Sequence, residues 1–178
     1  TMRSNLMAFA ISLSGFAIDI SGSMSSGTDS GSTRIEVVKR HLAGALRCMQ
    51  GAPGAEFGIA LFDTGVKLPL GDTLLTANRS LVARGLTAVG GVQAQGGNGG
   101  EAACLRALLK MKPDAVFFLG DGGWDSGSLI AAAGVAASQG VTIHSIAFYT
   151  TGGGLPEIAK ITGGTYRELH STEGLQED

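Results

Sequence analysis

Apolar, strand-like runs alternate with helix-period segments along this 178-residue sequence. That alternation predicts an α/β domain with helices on both faces of a sheet. Two further observations narrow the class. The runs at 16–20 and 115–119 are apolar almost without interruption, as in parallel strands buried on both faces. The 29 glycines cluster between apolar segments, at 90–91, 96–100 and 152–154, where they suit tight turns and close backbone approaches. The expected architecture is Rossmann-like and doubly wound: a mainly parallel six-stranded sheet with one antiparallel edge strand. The length fits a single domain, 1–178, able to bury its own core.

The elements follow in order. Residues 8–13 predict a short edge strand and 16–20 a central one. A polar loop covers 25–32. Thr33 and Glu36, three apart, form a capping box. Ile35, Val38, Leu42, Ala45, Leu46 and Met49 then recur at helical spacing to about Gln50, and Pro53-Gly54 ends that helix. A buried strand is expected at 57–62. A short antiparallel partner follows at 66–70, after the turn Asp63-Thr64-Gly65. Leu81, Val82, Leu86 and Val89 predict a second helix closed by Gly90-Gly91. A third spans about 101–111, before Pro113. The run 115–119 is the next strand, followed by a helix of small residues at 128–139 and a strand at 141–148. A short helix at 155–161 and a last strand at 165–169 complete the series. The polar tail 171–178 should fray.

Composition removes several function classes. The formal net charge is −2, with no basic stripe for nucleic acid or an anionic membrane. No run reaches the length needed to span a bilayer. The apolar stretch 6–13 lacks the basic flank and cleavage site of a secretory leader. Cys48 and Cys104 fall in helical patterns and read first as small buried hydrophobes, a disulfide remaining open.

The most informative stretch is Phe16-Ala17-Ile18-Asp19-Ile20-Ser21-Gly22-Ser23-Met24. Asp-x-Ser-x-Ser places three hard oxygen donors within five residues at a strand end, the donors a divalent ion such as Mg²⁺ or Mn²⁺ requires. Asp121 follows a second central strand, so the two carboxylates should converge at the carboxyl edge of the sheet, where such folds bind ligands. A divalent cation would relieve their repulsion. Asp19 is expected at the surface edge rather than in the core. Each residue has a plainer reading: a strand-to-helix turn for 19–23, and a turn aspartate before Gly122-Gly123 for Asp121.

These motifs resemble a von Willebrand factor A domain of bacterial type, with its metal-ion-dependent adhesion site (MIDAS). Leu119-Gly120-Asp121-Gly122 is similar to the Leu-Thr-Asp-Gly motif carrying that family's second aspartate. Residues 34–39, 112–119, 141–148, 155–159 and 162–166 look like its first helix, fourth and fifth strands, last helix and closing strand. The resemblance covers about 8–170. It implies a metal site of Asp19, Ser21, Ser23 and Asp121 for Mg²⁺ (or Mn²⁺ or Ca²⁺). It also implies an open coordination position filled by an Asp or Glu of a protein partner. One departure stands out. The family's Gly-Gly-Thr loop reads Gln95-Gly96-Gly97-Asn98-Gly99-Gly100 here, with no threonine hydroxyl. The position falls on Gly97, Asn98 or Gly99, and Asn98 is the best metal ligand because its amide oxygen can coordinate.

Around the site, Trp124 and Asp125 are candidate partner-binding residues, Trp124 alternatively folding over the neighbouring helix. Glu101 reads as a first-turn helix residue and Asp63 as turn chemistry. His41, His144 and His170 lack ligand spacing. Enzyme motifs fail: Ser21-Gly22-Ser23-Met24-Ser25 is no nucleophile elbow. Gly99-Gly100-Glu101 would repel phosphate, and those glycines do not follow a strand as dinucleotide binding requires. A hydrolase activating water on the metal would want a general base nearby, and no histidine is close in sequence. The expected function is therefore metal-dependent protein binding without catalysis. The alternatives are a structural or interaction domain with a degenerate metal site and, third, a metal-dependent hydrolase.

Overall fold

The computed structural model describes residues 13–122, 124, 126–150 and 153–169. The described strands are β1 (Leu13–Asp19), β2 (Glu56–Phe62), β3 (Val66–Lys67), β4 (Leu75–Thr76), β5 (Ala115–Gly120), β6 (Thr142–Phe148) and β7 (Tyr166–Leu169). The helices are α1 (Arg34–Met49), α2 (Arg79–Gly90), α3 (Glu101–Lys110), α4 (Ser126–Ser138) and α5 (Leu155–Ile161), with a 3₁₀ turn at Gly22–Ser25. The strand order is β3-β2-β1-β5-β6-β7, with β4 also paired to β2. β1, β2, β5, β6 and β7 run parallel, while β3 and β4 are antiparallel to β2. The doubly wound, mainly parallel class expected from the sequence is thus observed.

The differences have local causes. The antiparallel edge expected at 66–70 is split in two. Pro69 lacks an N–H for the ladder, and Gly71 (φ 96) donates to the Leu68 carbonyl at 3.1 Å, closing a turn. The edge resumes only at Leu75, opposite Phe57. Of the edge strand expected at 8–13, only Leu13 lies within the described residues, and it opens the central strand β1. The tail, His170 and Asp125 lie outside them.

Helix α1 begins where the capping box places it: the Glu36 N–H donates to Thr33 Oγ1 at 3.4 Å, and the Thr33 N–H to Glu36 Oε2 at 2.6 Å. Side chains alternate across each strand, so β1 sends Phe16 and Ile18 into one core layer and Ala17 into the other. The first layer packs Ile35, Val38, Leu42 and Leu46 of α1 on Ile59 and Phe148. The second packs Leu105 and Leu108 of α3 and Leu129 of α4 on Val116 and Phe118. Each such side chain contributes about 1.5–3 kcal/mol by burial. Cys104 is buried, its thiol 3.7 Å from the Ala60 carbonyl, as expected. Cys48 instead lies on the exposed side of α1, and both thiols are free. Among the described residues no helix is long and apolar enough to cross a membrane.

From β1 the chain moves to β2 on one side, then crosses to β5 on the other. The carboxyl ends of β1 and β5 therefore flank the point where the winding reverses, the crevice in which open α/β sheets place ligands.

Candidate metal centre

Asp19 is the last residue of β1, and in β5 Leu119 pairs with Ile18 in register. Asp121 therefore emerges beside Asp19. Asp19 Oδ1 accepts the Ser21 N–H at 2.8 Å, and the Ser21 and Ser23 hydroxyls lie 3.0 Å apart. The chain then turns through Gly22–Ser25, anchored by Met24, which is completely buried. Asp19, Ser21 and Ser23 thus form one connected oxygen cluster. Asp121 is near enough for its charge and its backbone N–H to act on the Asp19 carboxylate.

The electrostatics of Asp19 are unusual. Its expected place at the surface is corrected: it is 0 % exposed. Asp19 and Ser21 are buried at the strand end, while Ser23 is exposed. Burial pushes the Asp19 carboxyl up to about 6, against the opposing pull of Ser21's hydrogen bonds, and the Asp121 charge adds to the rise. Its second oxygen, Oδ2, is buried without a hydrogen-bond partner. A buried carboxylate oxygen with no donor is costly. A cation is the group that would satisfy it, so the residues present fit a hard divalent ion. Among the described residues no group of three or more His, Cys, Asp or Glu side chains converges. The candidate set consists instead of two carboxylates and two hydroxyls.

One site residue escaped the sequence reading. Arg34, the first residue of α1, places Nη1 2.9 Å from Asp121 Oδ2 and Nη2 3.5 Å from the Tyr149 carbonyl, while its Nε is buried and unpartnered. Its position directly after the serine loop was the available signal. Pairing with Asp121, 87 residues away, depends on the tertiary fold.

The glycine loop docks on the site through its backbone. The Gly22 N–H donates to the Gly96 carbonyl at 3.0 Å and the Gln95 N–H to the Ile20 carbonyl at 2.8 Å. The Gly100 N–H donates to the Asp63 carbonyl at 2.8 Å. A Cβ at Gly100 would overlap the Gly65 carbonyl, so only glycine allows this approach. Asn98, the candidate fifth ligand, is exposed on that loop. Glu101 begins α3, buried, and accepts the Gly99 N–H at 3.0 Å. Asp63 does turn chemistry as expected: it accepts the Gly65 N–H at 3.0 Å and pairs with Lys67 at 3.1 Å. These contacts, the Gly65 N–H foremost, hold its carboxyl below the usual range.

The Trp124 ring is turned inward. It sits edge-on to Phe62 and Phe118, at 5.4 and 6.1 Å between centroids, and is half-buried. The ring packs on two strand phenylalanines, remains partly exposed, and covers Gly120, where a Cβ would overlap it. His144 stacks on Phe117 at 5.3 Å with Nδ1 2.9 Å from Thr165 Oγ1, and His41 packs against Phe148. Both histidines are therefore packed side chains.

No family model matches the chain, and no curated protein matches it significantly. Solved structures do. BatB of Bacteroides thetaiotaomicron, a conserved hypothetical protein, matches with a TM-score of 0.73 and 16% identity, over 91% of this chain and 92% of that one. A von Willebrand factor type A structure from Catenulispora acidiphila gives 0.75 and 23%, over 91% and 39%. Proximal thread matrix protein 1 of the mussel byssus, with a zinc-occupied MIDAS motif, gives 0.67 and 18%, over 91% and 42%.

Proposed function

This chain has the von Willebrand factor A fold, and we propose that it is a metal-dependent protein-binding module without catalytic activity. Asp19, Ser21, Ser23 and Asp121 would hold a divalent ion, Mg²⁺ foremost and Mn²⁺ or Ca²⁺ as alternatives, with Asn98 the candidate fifth ligand. When bound, the ion supplies an open coordination position for a carboxylate, here an Asp or Glu of a protein partner. The single observation that carries the reading is the buried, unpartnered Oδ2 of Asp19 beside a second carboxylate. Ser21 and Ser23 prearrange their lone pairs through their mutual contact, and Ser23 lies on the exposed side, where a partner can approach.

The absence of catalysis is supported by the oxygen-only donor set and by the packing of His41 and His144 among aromatic rings. A second reading draws on a specific observation: Arg34 already pairs with Asp121, as in a degenerate site kept in a structural or interaction domain.

Melting curves in EDTA, Mg²⁺, Mn²⁺ and Ca²⁺ separate these readings. Ion binding to the folded state alone raises the melting temperature by mass action. Asp19→Asn, chosen over alanine because the position is buried, should sharply reduce that rise by removing the carboxylate charge. No shift with any ion supports the degenerate site. A shift together with turnover of generic ester or phosphoester substrates would move the assignment to a hydrolase.

A further inference from the structure

We infer that Arg34 is a built-in competitor of the divalent ion, neutralising Asp121 in the ion-free state and withdrawing when the ion binds. The inference rests on the metal-binding reading above. It starts from a contrast between the two aspartates. Asp19 Oδ2 has no partner, while Asp121 Oδ2 is taken at 2.9 Å by the Arg34 guanidinium. One carboxylate of the pair is therefore charge-compensated from within the chain and the other is not.

A divalent ion drawing on both carboxylates would compete with Arg34 for the charge of Asp121, and its own charge would repel the guanidinium at such range. Arg34 is poorly anchored for a permanent role. Its Nε is buried without a partner, its Nη2 contact to the Tyr149 carbonyl is long at 3.5 Å, and its side chain is 20% exposed. The Tyr149 backbone receiving that contact has φ 60, a left-handed conformation that a non-glycine residue adopts at a cost. Loss of the Asp121 contact therefore leaves Arg34 with one weak bond and a route to solvent. Because Arg34 is the first residue of α1, its withdrawal also links ion binding to the start of that helix.

The test compares Mg²⁺ binding by the unmutated protein, Arg34→Met and Arg34→Lys, by calorimetry and by melting in EDTA and in Mg²⁺. Arg34→Met should bind Mg²⁺ about tenfold or more tightly, the scale of one charge-assisted hydrogen bond that no longer has to break. It should melt lower than the unmutated protein in EDTA, because Asp121 loses its counter-ion, and the deficit should close or reverse in Mg²⁺. Arg34→Lys, keeping the charge without the fork, should fall between the two. If Arg34→Met does not fold, NMR of the Arg34 Nε–H in the unmutated protein gives the same answer: Mg²⁺ should shift that signal toward a solvent-exposed guanidinium. Equal Mg²⁺ affinity in all three proteins, or an unmoved Nε–H signal at saturating ion, overturns the competitor role and leaves the metal-binding reading standing. Absence of Mg²⁺ binding in every variant overturns both. Binding by Arg34→Met alone overturns the withdrawal of Arg34 on ion binding, and with it the metal-binding reading of the unmutated protein.

Discussion

At Asp19 a buried carboxylate costs stability at the position where the proposed ion would bind. With burial dominant, its carboxyl titrates near 6 in the folded protein, against about 3.8 for an unperturbed group. The folded state therefore binds the proton more tightly than the unfolded state. The sign follows: the ion-free protein is most stable below about pH 4 with respect to this group, and loses stability as pH rises through 6. The full difference is about 3 kcal/mol. Urea denaturation in chelator between pH 4 and pH 7 should show that decline, and Asp19→Asn should flatten it while raising stability at pH 7 by about 1–3 kcal/mol. Failure of Asn to raise stability at pH 7 would show that the buried charge is already compensated. Gly120 provides a second test. It stands where the resembling motif carries threonine, and a Cβ there would lie 3.0 Å from the Asp19 Cβ and overlap the Trp124 ring. Gly120→Thr should therefore cost about 1–3 kcal/mol through overpacking. In a double-mutant cycle, Trp124→Ala should recover part of that cost; strict additivity would mean the ring is not what excludes a side chain there.

At the scale of elements, the start of α1 joins local sequence to the site. Thr33 and Glu36 cap each other's backbone, and Arg34 follows the cap directly. Thr33→Ala should cost about 1 kcal/mol in urea denaturation and, by fraying the first turn, loosen the Arg34–Asp121 pair. Elements written in local pattern were legible: the capping box and apolar period located α1, and the bounds of α5 matched the expected 155–161. The oxygen cluster of Asp19, Ser21 and Ser23 was legible for the same reason, since its three donors lie within five residues. Elements made by distant partners were not. β4 has two residues and therefore no periodicity; it exists because Leu75 and Thr76 meet Phe57 and Glu56. Cys48 sits in an apolar helical stretch, yet its phase on α1 faces solvent. Arg34 joins the site, and the Trp124 ring turns onto Phe62 and Phe118, only through contacts across the fold.

For the whole molecule, the sheet gathers unfavourable electrostatics into one crevice and makes stability depend on what enters it. β1 and β5 end side by side at the reversal of winding, so two carboxylates from distant sequence share one low-dielectric edge. One of them is compensated by Arg34, and the uncompensated oxygen of Asp19 remains. An ion that binds only the folded protein stabilises it by about 2.7 kcal/mol at a hundredfold excess over its dissociation constant. For a domain of this size that corresponds to a rise of roughly 5–10 °C in melting temperature. If the ion binds as proposed, it competes with the proton for Asp19, so the rise should depend on pH in the direction opposite to the ion-free protein. It should be small at pH 5, where Asp19 is mostly protonated in the folded state, and approach its full size by pH 7. Scanning calorimetry at both pH values, in chelator and in Mg²⁺, checks this. A Mg²⁺-induced rise of equal size at pH 5 and pH 7 would place the bound ion away from Asp19, because only a ligand titrating in that window ties the ion's effect to pH.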